Sequence, residues 1–333
     1  MHVFGEKTKI NLDLGRFCII FVRRFQKKRT CVLRIWGGNS NFARSVTRLE
    51  QGNLRENYHT MNISDATYRV VSWLEHCTKA WNTGGEGIHS PYLFEWVRMV
   101  MYDTHPYYIW RDIENRREAM LRAPKVIDYA DYGTGGKGGI HSQRLVSEIA
   151  KTSLEPRTYG QLLFQLVNWL GHQAREEGRE GLHIVELGTS LGITTAYLAS
   201  VDSRDRVMTF EGCPDVAEMA RLNWSKLGLE NIECVEGNID DTLPAHITGH
   251  VDVAFIDANH TQEATLRYFD ILAQRTDRKS VIVIDDIHYS RAMGQAWQDI
   301  CCRPVVACTM DLQKMGLVVF DPDYLHKHYK LRL

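Results

Sequence analysis

The feature that most constrains this chain is an alternation that begins after Gly160. Short, mostly apolar segments, 183–187, 207–210, 232–235, 251–256 and 280–284, are separated by stretches of helical period. A strand apolar on both faces has to be covered on both faces, and that is the condition of a parallel sheet sandwiched between helices. The covering elements are visible too. Leu162, Leu163, Leu166, Val167 and Leu170 mark an amphipathic helix before the first strand, and Met293, Ala296, Trp297, Ile300 and Cys301 follow i, i+3, i+4, i+7, i+8. Segments 305–310 and 317–320, around Gln313-Lys314-Met315-Gly316, predict an antiparallel hairpin. The expected class is α/β: a doubly wound, mostly parallel seven-stranded sheet closed by a C-terminal antiparallel hairpin, over residues 151–333.

Residues 61–150 read as a helical N-terminal or lid region. Ser64 is a plausible N-cap ahead of the stripe Val70, Val71, Leu74 and Cys77, and Ser90-Pro91 opens a second helix after the loop that starts at Gly85. The glycine-rich run Asp131-Tyr132-Gly133-Thr134-Gly135-Gly136 has no P-loop lysine spacing and no preceding buried strand, so it reads as a connector or lid. His89 and His141 read as loop or packing histidines. Residues 1–60 lack sustained periodicity and carry 12 Lys/Arg against 4 Asp/Glu, whereas the remainder carries 28 against 37. They are expected to be a basic leader or arm, non-native or disordered, with the functional chain starting at Met61.

The acidic body argues against a nucleic-acid partner held through phosphates. Eight cysteines without a C-x-x-C, two of them adjacent at Cys301-Cys302, suit free thiols in a reducing cytoplasm. The apolar patch 17–22 falls far short of the ~20 residues that span a bilayer, so no membrane association is expected and the location expected is cytoplasmic.

In open α/β sheets the ligand binds beyond the carboxyl ends of the strands, where the strand order reverses. The first strand ends in Glu186-Leu187-Gly188-Thr189-Ser190-Leu191-Gly192 and feeds a helix containing Thr194. Its G-x-x-x-G spacing differs from the G-x-G-x-x-G that sets a pyrophosphate on a helix N-terminus, which favours a nucleoside cofactor without phosphate. Glu211 ends the second strand, 23 residues beyond Gly188, where a carboxylate can accept both ribose hydroxyl protons. Gly237, Asn238 and Ile239 follow the third strand as candidate adenine contacts. Each feature has a plain structural alternative, a solvated acid or a turn glycine, but they recur in register after successive strands.

Over roughly residues 150–321 the chain resembles the class I S-adenosylmethionine-dependent methyltransferases, which share a Rossmann-like fold. Residues 186–192 look like the family's cofactor loop, Glu211 like its ribose-binding acid, and the terminal hairpin like its reversed last strand. The resemblance is closer to small-molecule O-methyltransferases of the catechol and caffeoyl-CoA type, with Tyr159-Gly160-Gln161 matching the segment before the first strand. Residues 87–91 resemble the leader of a bacterial methyltransferase group. The resemblance implies S-adenosylmethionine bound by Glu186, Gly188, Thr189, Ser190, Gly192, Thr194, Glu211, Gly237, Asn238, Ile239 and Asp257.

Two further loops carry chemistry. Asp257-Ala258-Asn259-His260 follows the fourth strand and Asp285-Asp286-Ile287-His288 the fifth, so three carboxylates converge on one edge. Such oxygens suit Mg²⁺ or another divalent ion, which acidifies and orients a bound hydroxyl. In the metal-dependent relatives the ligands occupy the positions of Asp257, Asp285 and Asp286, with an Asn usual at the last. His260 stands where a lysine base is frequent, and histidine can fill that role. The competing readings are that Asp257 binds only cofactor, that Asp285 and Asp286 cap the next helix, and that His260 fixes its loop before Thr261. The function implied is methyl transfer to a small hydroxylated acceptor with metal assistance. The alternatives are metal-independent transfer from the same site, a silent cofactor-binding protein, and an oxidoreductase disfavoured by the glycine spacing. The partners expected are the small-molecule acceptor and a second copy of the chain as a homodimer.

Overall fold

The structure, a computed structural model, describes residues 7–11, 19–24, 31–36, 65–80, 90–131, 140–323 and 327–333. Contacts divide the chain into two units, Met1–Ile63 and Ser64–Leu333. In the first, β1 (Lys7–Asn11), β2 (Ile19–Arg24) and β3 (Cys31–Trp36) form an antiparallel sheet with β2 in the middle. The sequence shows no alternation there, yet the run Ile19-Ile20-Phe21-Val22 is rich in the β-branched and aromatic residues that suit a pleated backbone.

The second unit opens with α1 (Asp65–Lys79), α2 (Pro91–Trp96), a π-helical turn over Val97–Met101 and α3 (Tyr108–Leu121). Helix α2 starts as its sequence predicts: the Leu93 N–H donates to the Ser90 side chain at 3.4 Å and Pro91 sits in the first turn. Helix α1 forms where expected, with Val70, Leu74 and Cys77 half-buried, but its most buried positions are not those of the predicted stripe. Its buried residues are Ser72 and His76, while Val71 of the predicted apolar stripe is 51% exposed. The reason is polar: the His76 ring lies 3.0 Å from the Leu331 carbonyl oxygen and 3.3 Å from the Asp311 carboxylate, contacts worth more than a partial apolar face. Ser64 and His89 lie outside the described residues, as does the His141 side chain.

The region expected to be helical also holds a hairpin of β4 (Val126–Asp131) and β5 (Ile140–Leu145). A strand therefore does precede the glycine-rich run, whose residues 132–139 lie outside the described ones. The strand escapes a search for continuous apolar runs because the exposed Asp128 interrupts it, between the buried Ile127 and Ala130.

Helices α4 (Val146–Ser153) and α5 (Arg157–Glu176) lead into the main sheet. There β6 (His183–Leu187), α6 (Ile193–Ala199), β7 (Arg206–Glu211), α7 (Pro214–Leu227), β8 (Ile232–Glu236), α8 (Ile239–His246), β9 (Val253–Ile256), α9 (Gln262–Ala273), β10 (Val281–Ile284) and α10 (Arg291–Cys301) alternate. They are followed by β11 (Cys308–Asp311), β12 (Gly316–Val319) and β13 (Lys327–Lys330). The spatial order is β13-β11-β12-β10-β9-β6-β7-β8. Strands β6 to β10 are mutually parallel, and β12 enters antiparallel between β10 and β11. This is the expected doubly wound α/β sheet with one strand more than predicted: β13 pairs parallel with β11, and its sequence Lys-His-Tyr-Lys carries no apolar run.

One face is packed by α5, through Leu163, Leu166 and Val167 among others, and the opposite face by α9 and α10, through Tyr268, Phe269 and Trp297. Burying side chains of this size at ~25 cal/mol per Å² of apolar surface is what holds the layers together. The chain runs outward from β6 to β8 and then returns to the other side of β6 as β9, so the strand order reverses between β6 and β9. Among the described residues no helix is long and apolar enough to cross a membrane.

Candidate active site

The register aligns the strand ends: Leu187 lies opposite Ile256, Ile256 opposite Ile284, and Glu211 opposite Glu236. The loops after these residues therefore open on one edge of the sheet, at the reversal of strand order.

The β6–α6 loop comes first. Gly188 has φ +96°, and a Cβ there would stand 2.0 Å from the Asp257 carbonyl oxygen, so only glycine lets the two loops meet. Ser190 (φ +49°) and Gly192 (φ +73°) continue the turn, and Gly192 is the N-cap of α6. The Glu211 carboxylate accepts the Ser190 N–H at 2.8 Å on Oε2 and the Cys213 N–H at 2.9 Å on Oε1. Burial pushes its pKa up against those bonds. The acid is thereby fixed beside the loop with lone pairs left over.

Glu186 and Thr189 lie beneath the loop. Glu186 Oε2 accepts from Thr195 at 2.5 Å and Thr209 at 2.7 Å, and the Thr189 hydroxyl lies 2.6 Å from that of Thr209. Thr194 is buried on the first turn of α6. On the far side the Gly237 N–H (φ +127°) donates to the Glu211 carbonyl at 2.9 Å. The Asn238 side chain caps α8 by accepting from the Asp240 N–H at 3.0 Å, and Ile239 packs against the core.

The acidic end is built from more residues than the sequence suggests. Oxygens of Glu155, Asp257 and Asp285 lie within 4.8 Å of one another. Glu155 sits in the α4–α5 connection and is 4% exposed; Asp285 is 2% exposed. The ammonium of Lys314 reaches into this group. It bonds Asp285 Oδ2 directly and lies 2.8 Å from Glu155 Oε2 and 3.2 Å from Asp286 Oδ1. Glu155 Oε1 and Asp285 Oδ1 are buried without a partner.

Burial, then the neighbouring Asp285, pushes Glu155 up to about 8; burial, then Glu155, does the same to Asp257. Asp285 is raised well above the carboxylate range by burial and by Asp257. Burial alone would lower the Lys314 pKa, but Asp285, Glu155 and Asp286 more than reverse this and keep it an ammonium.

His260 closes the edge. Its Nε2 lies 3.5 Å from Asp257 Oδ1, its ring packs 5.9 Å from the Tyr289 ring, and burial lowers its pKa below 6.5. Arg69 of α1 also lies over the Tyr289 ring, 5.1 Å from its centre. Thr261 caps α9 as expected, accepting the Ala264 N–H, and His260 stands on the loop before it; the capping role considered for Asp285 and Asp286 does not hold, because Ser290 caps α10.

Of the predicted acid set the structure brings Asp257 and Asp285 together, while Asp286 (φ +52°) turns to Lys314. Sequence reasoning missed Glu155 and Lys314. The one available signal was a lysine in the predicted turn of a hairpin whose strands return to the acidic loop.

Comparison with known proteins bears on the same segment. Residues 185–287 match a family model described as a methyltransferase domain. A catechol O-methyltransferase of Mycobacterium tuberculosis is 36% identical over 135 residues, covering 40% of this chain and 59% of that protein. The O-methyltransferase imqG of Aspergillus flavus is 30% identical over 114 residues, covering 32% and 45% respectively. The chain thus spans less than two thirds of either relative. Among solved structures, an O-methyltransferase from Bacillus cereus in complex with S-adenosylhomocysteine aligns at 19% identity and TM-score 0.44, over 68% of this chain and 97% of the other. The matched segment contains the glycine loop, Glu211, Asp257 and Asp285, and residues 185–287 are similar to a methyltransferase domain.

Proposed function

We propose that the protein transfers a methyl group from S-adenosylmethionine to a hydroxyl oxygen of a small acceptor. The observation that carries this reading is Glu211, pinned by the N–H groups of Ser190 and Cys213 at the mouth of a glycine loop too tight for any other residue at 188. A carboxylate held this way can receive two ribose hydroxyls without reorganising. Oxygen as the accepting atom is supported by the two curated relatives, both O-methyltransferases by name.

The cofactor supplies a methyl group on a sulfonium, a strong electrophile that needs no activation. The chain has to align the acceptor, which is worth up to ~7–11 kcal/mol of the barrier, and to remove a proton. His260 suits the second task because burial keeps its imidazole neutral near pH 7. The acceptor's O–H proton passes to His260 Nε2 as the O–C bond forms and the S–C bond breaks, giving a methyl ether and S-adenosylhomocysteine. Asp257 Oδ1 lies 3.5 Å from the same nitrogen, at the edge of the cleft.

Resemblance to metal-dependent enzymes raised the expectation of a divalent ion on Asp257, Asp285 and Asp286. Hard oxygens within 4.8 Å of one another suit such an ion in kind. The Lys314 ammonium, however, already bonds one oxygen each of Asp285, Asp286 and Glu155. The folded cluster does not fit a resident divalent ion, and no step is assigned to one.

Calorimetry with S-adenosylhomocysteine tests the assignment. Binding is expected, and Glu211→Ala should weaken it by about 1.5–3 kcal/mol, the scale of hydrogen bonds to a charged group. Tight NAD binding with no adenosylhomocysteine heat would overturn it.

A further inference from the structure

We propose that Lys314 is a tethered cation that takes the place of a divalent ion at the acidic edge, so that the domain works without a metal. The proposal rests on the methyl-transfer reading of the cleft, and it assigns a positioning residue in place of an inorganic one.

The first argument is delivery. Lys314 sits in the turn between β11 and β12, where the Leu312 N–H donates to the Met315 carbonyl at 2.8 Å and Gln313 takes φ +74°. Asp311 Oδ1 accepts the Gln313 N–H at 2.8 Å, and the Ile287 N–H donates to the Lys314 carbonyl at 3.1 Å. The backbone of the lysine is thus locked to the acidic loop after β10 before its side chain makes any contact. A lysine that merely reached the cluster from a free surface would lack this anchorage.

The second argument is stoichiometry. An ammonium has three N–H donors, and Lys314 meets three carboxylates: Asp285, Glu155 at 2.8 Å and Asp286 at 3.2 Å. All three come from different parts of the chain or different residues of one loop, and Lys314 is what they share. Glu155, almost wholly buried, has no other ion-pair partner among the described residues, and a buried carboxylate without a cation is costly.

The third argument is exclusion. A metal on the Glu155, Asp257 and Asp285 oxygens would stand within a few ångströms of the ammonium, and like charges at that range repel strongly at a protein's effective dielectric. The ion could enter only by expelling Lys314 from bonds it already makes. Lys314 acts through the carboxylates it orients, and leaves Asp257 beside His260.

The test compares Mn²⁺ binding by calorimetry and by the electron paramagnetic resonance of the ion, in the full chain and in Lys314→Met. The full chain should give no stoichiometric Mn²⁺ heat and should keep its turnover in EDTA. Lys314→Met should bind Mn²⁺ at least about 100-fold more tightly, because a unit positive charge has left the cluster. Its turnover, once lost, should be restored by Mn²⁺. Lys314→Arg keeps the charge and should remain indifferent to the ion. If Lys314→Met does not fold, Glu155→Gln/Lys314→Met has one fewer unpaired acid and should bind Mn²⁺ more tightly than Glu155→Gln alone. Tight, stoichiometric Mn²⁺ binding by the unaltered chain, or no gain on removing the lysine, overturns the proposal. S-adenosylhomocysteine titrated into the same samples separates the two readings. Its failure to bind would remove the methyltransferase function, while the Mn²⁺ heats would still decide the role of Lys314.

Discussion

The Glu186 carboxyl accepts from Thr195 and Thr209 on one oxygen and leaves the other buried without a partner; burial pushes its pKa up to about 7 despite those bonds. An acid whose folded pKa lies above its unfolded value keeps a proton that the unfolded chain releases, so stability falls as pH rises from about 4.5 to about 7. Glu186→Gln should therefore be more stable than the parent by up to about 3 kcal/mol at pH 8 and no more stable below pH ~4, in denaturant melts across that range.

Asp311 has the opposite sign. Burial would raise it, but the hydrogen bond with His288 (2.9 Å) and the His76 ring 3.3 Å away outweigh burial and hold it far below the ordinary carboxylate range. Its contribution is complete above about pH 4 and is lost as pH falls through the folded pKa. Asp311→Asn should cost about 3–5 kcal/mol at pH 7, and the penalty should shrink in acid. His260→Ala, by contrast, should leave stability nearly unchanged and slow turnover by about 10²–10⁴-fold if the imidazole takes the acceptor's proton. A loss smaller than that would leave proton removal to solvent.

At the scale of elements, the β6–α6 loop and the loop after β9 interlock, since a Cβ on Gly188 would penetrate the Asp257 carbonyl. Gly188→Ala should force the two strand ends apart and strain a positive φ, costing on the order of 3 kcal/mol and weakening S-adenosylhomocysteine binding together with stability. A melting temperature like the parent's would show that the loops have room to part. The same elements show what a sequence can reveal. Strands β6, β7, β9 and β10 were legible because strands covered on both faces are mostly apolar, and the edge strand β8 through its place in the strand–helix alternation. The β4–β5 hairpin and β13 were not, because one-sided or edge strands keep polar residues, and their pairing is decided by neighbours distant in sequence. The most buried positions of helix α1 were misread for a related reason: the contact between His76 and Asp311 joins residues that no local pattern connects. Glu155 and Lys314 escaped in the same way. Each is a single charged residue, and only the insertion of β12 beside β10 brings them to one point.

The whole chain divides at Ile63, close to where its charge changes sign. A protein beginning at Met61 should keep the melting temperature and S-adenosylhomocysteine affinity of the full chain, because the matched domain and every site residue named above lie beyond that point. An insoluble or non-binding product would make the basic sheet part of the working molecule.

The placement of β12 between β10 and β11 also bears on how the protein is made. A ribosome releases the chain from its N-terminus, at ~5–20 residues per second, so Glu155, Asp257 and Asp285 emerge before Lys314 does. For an interval on the order of seconds the nascent sheet ends at Val281-Ile282-Val283-Ile284, an open apolar edge beside carboxylates that have no counter-ion. The final hairpin supplies the missing strand and the missing charge in one insertion. Premature termination between β10 and β12 should therefore yield a fragment that aggregates along that edge, not a shortened protein with partial activity.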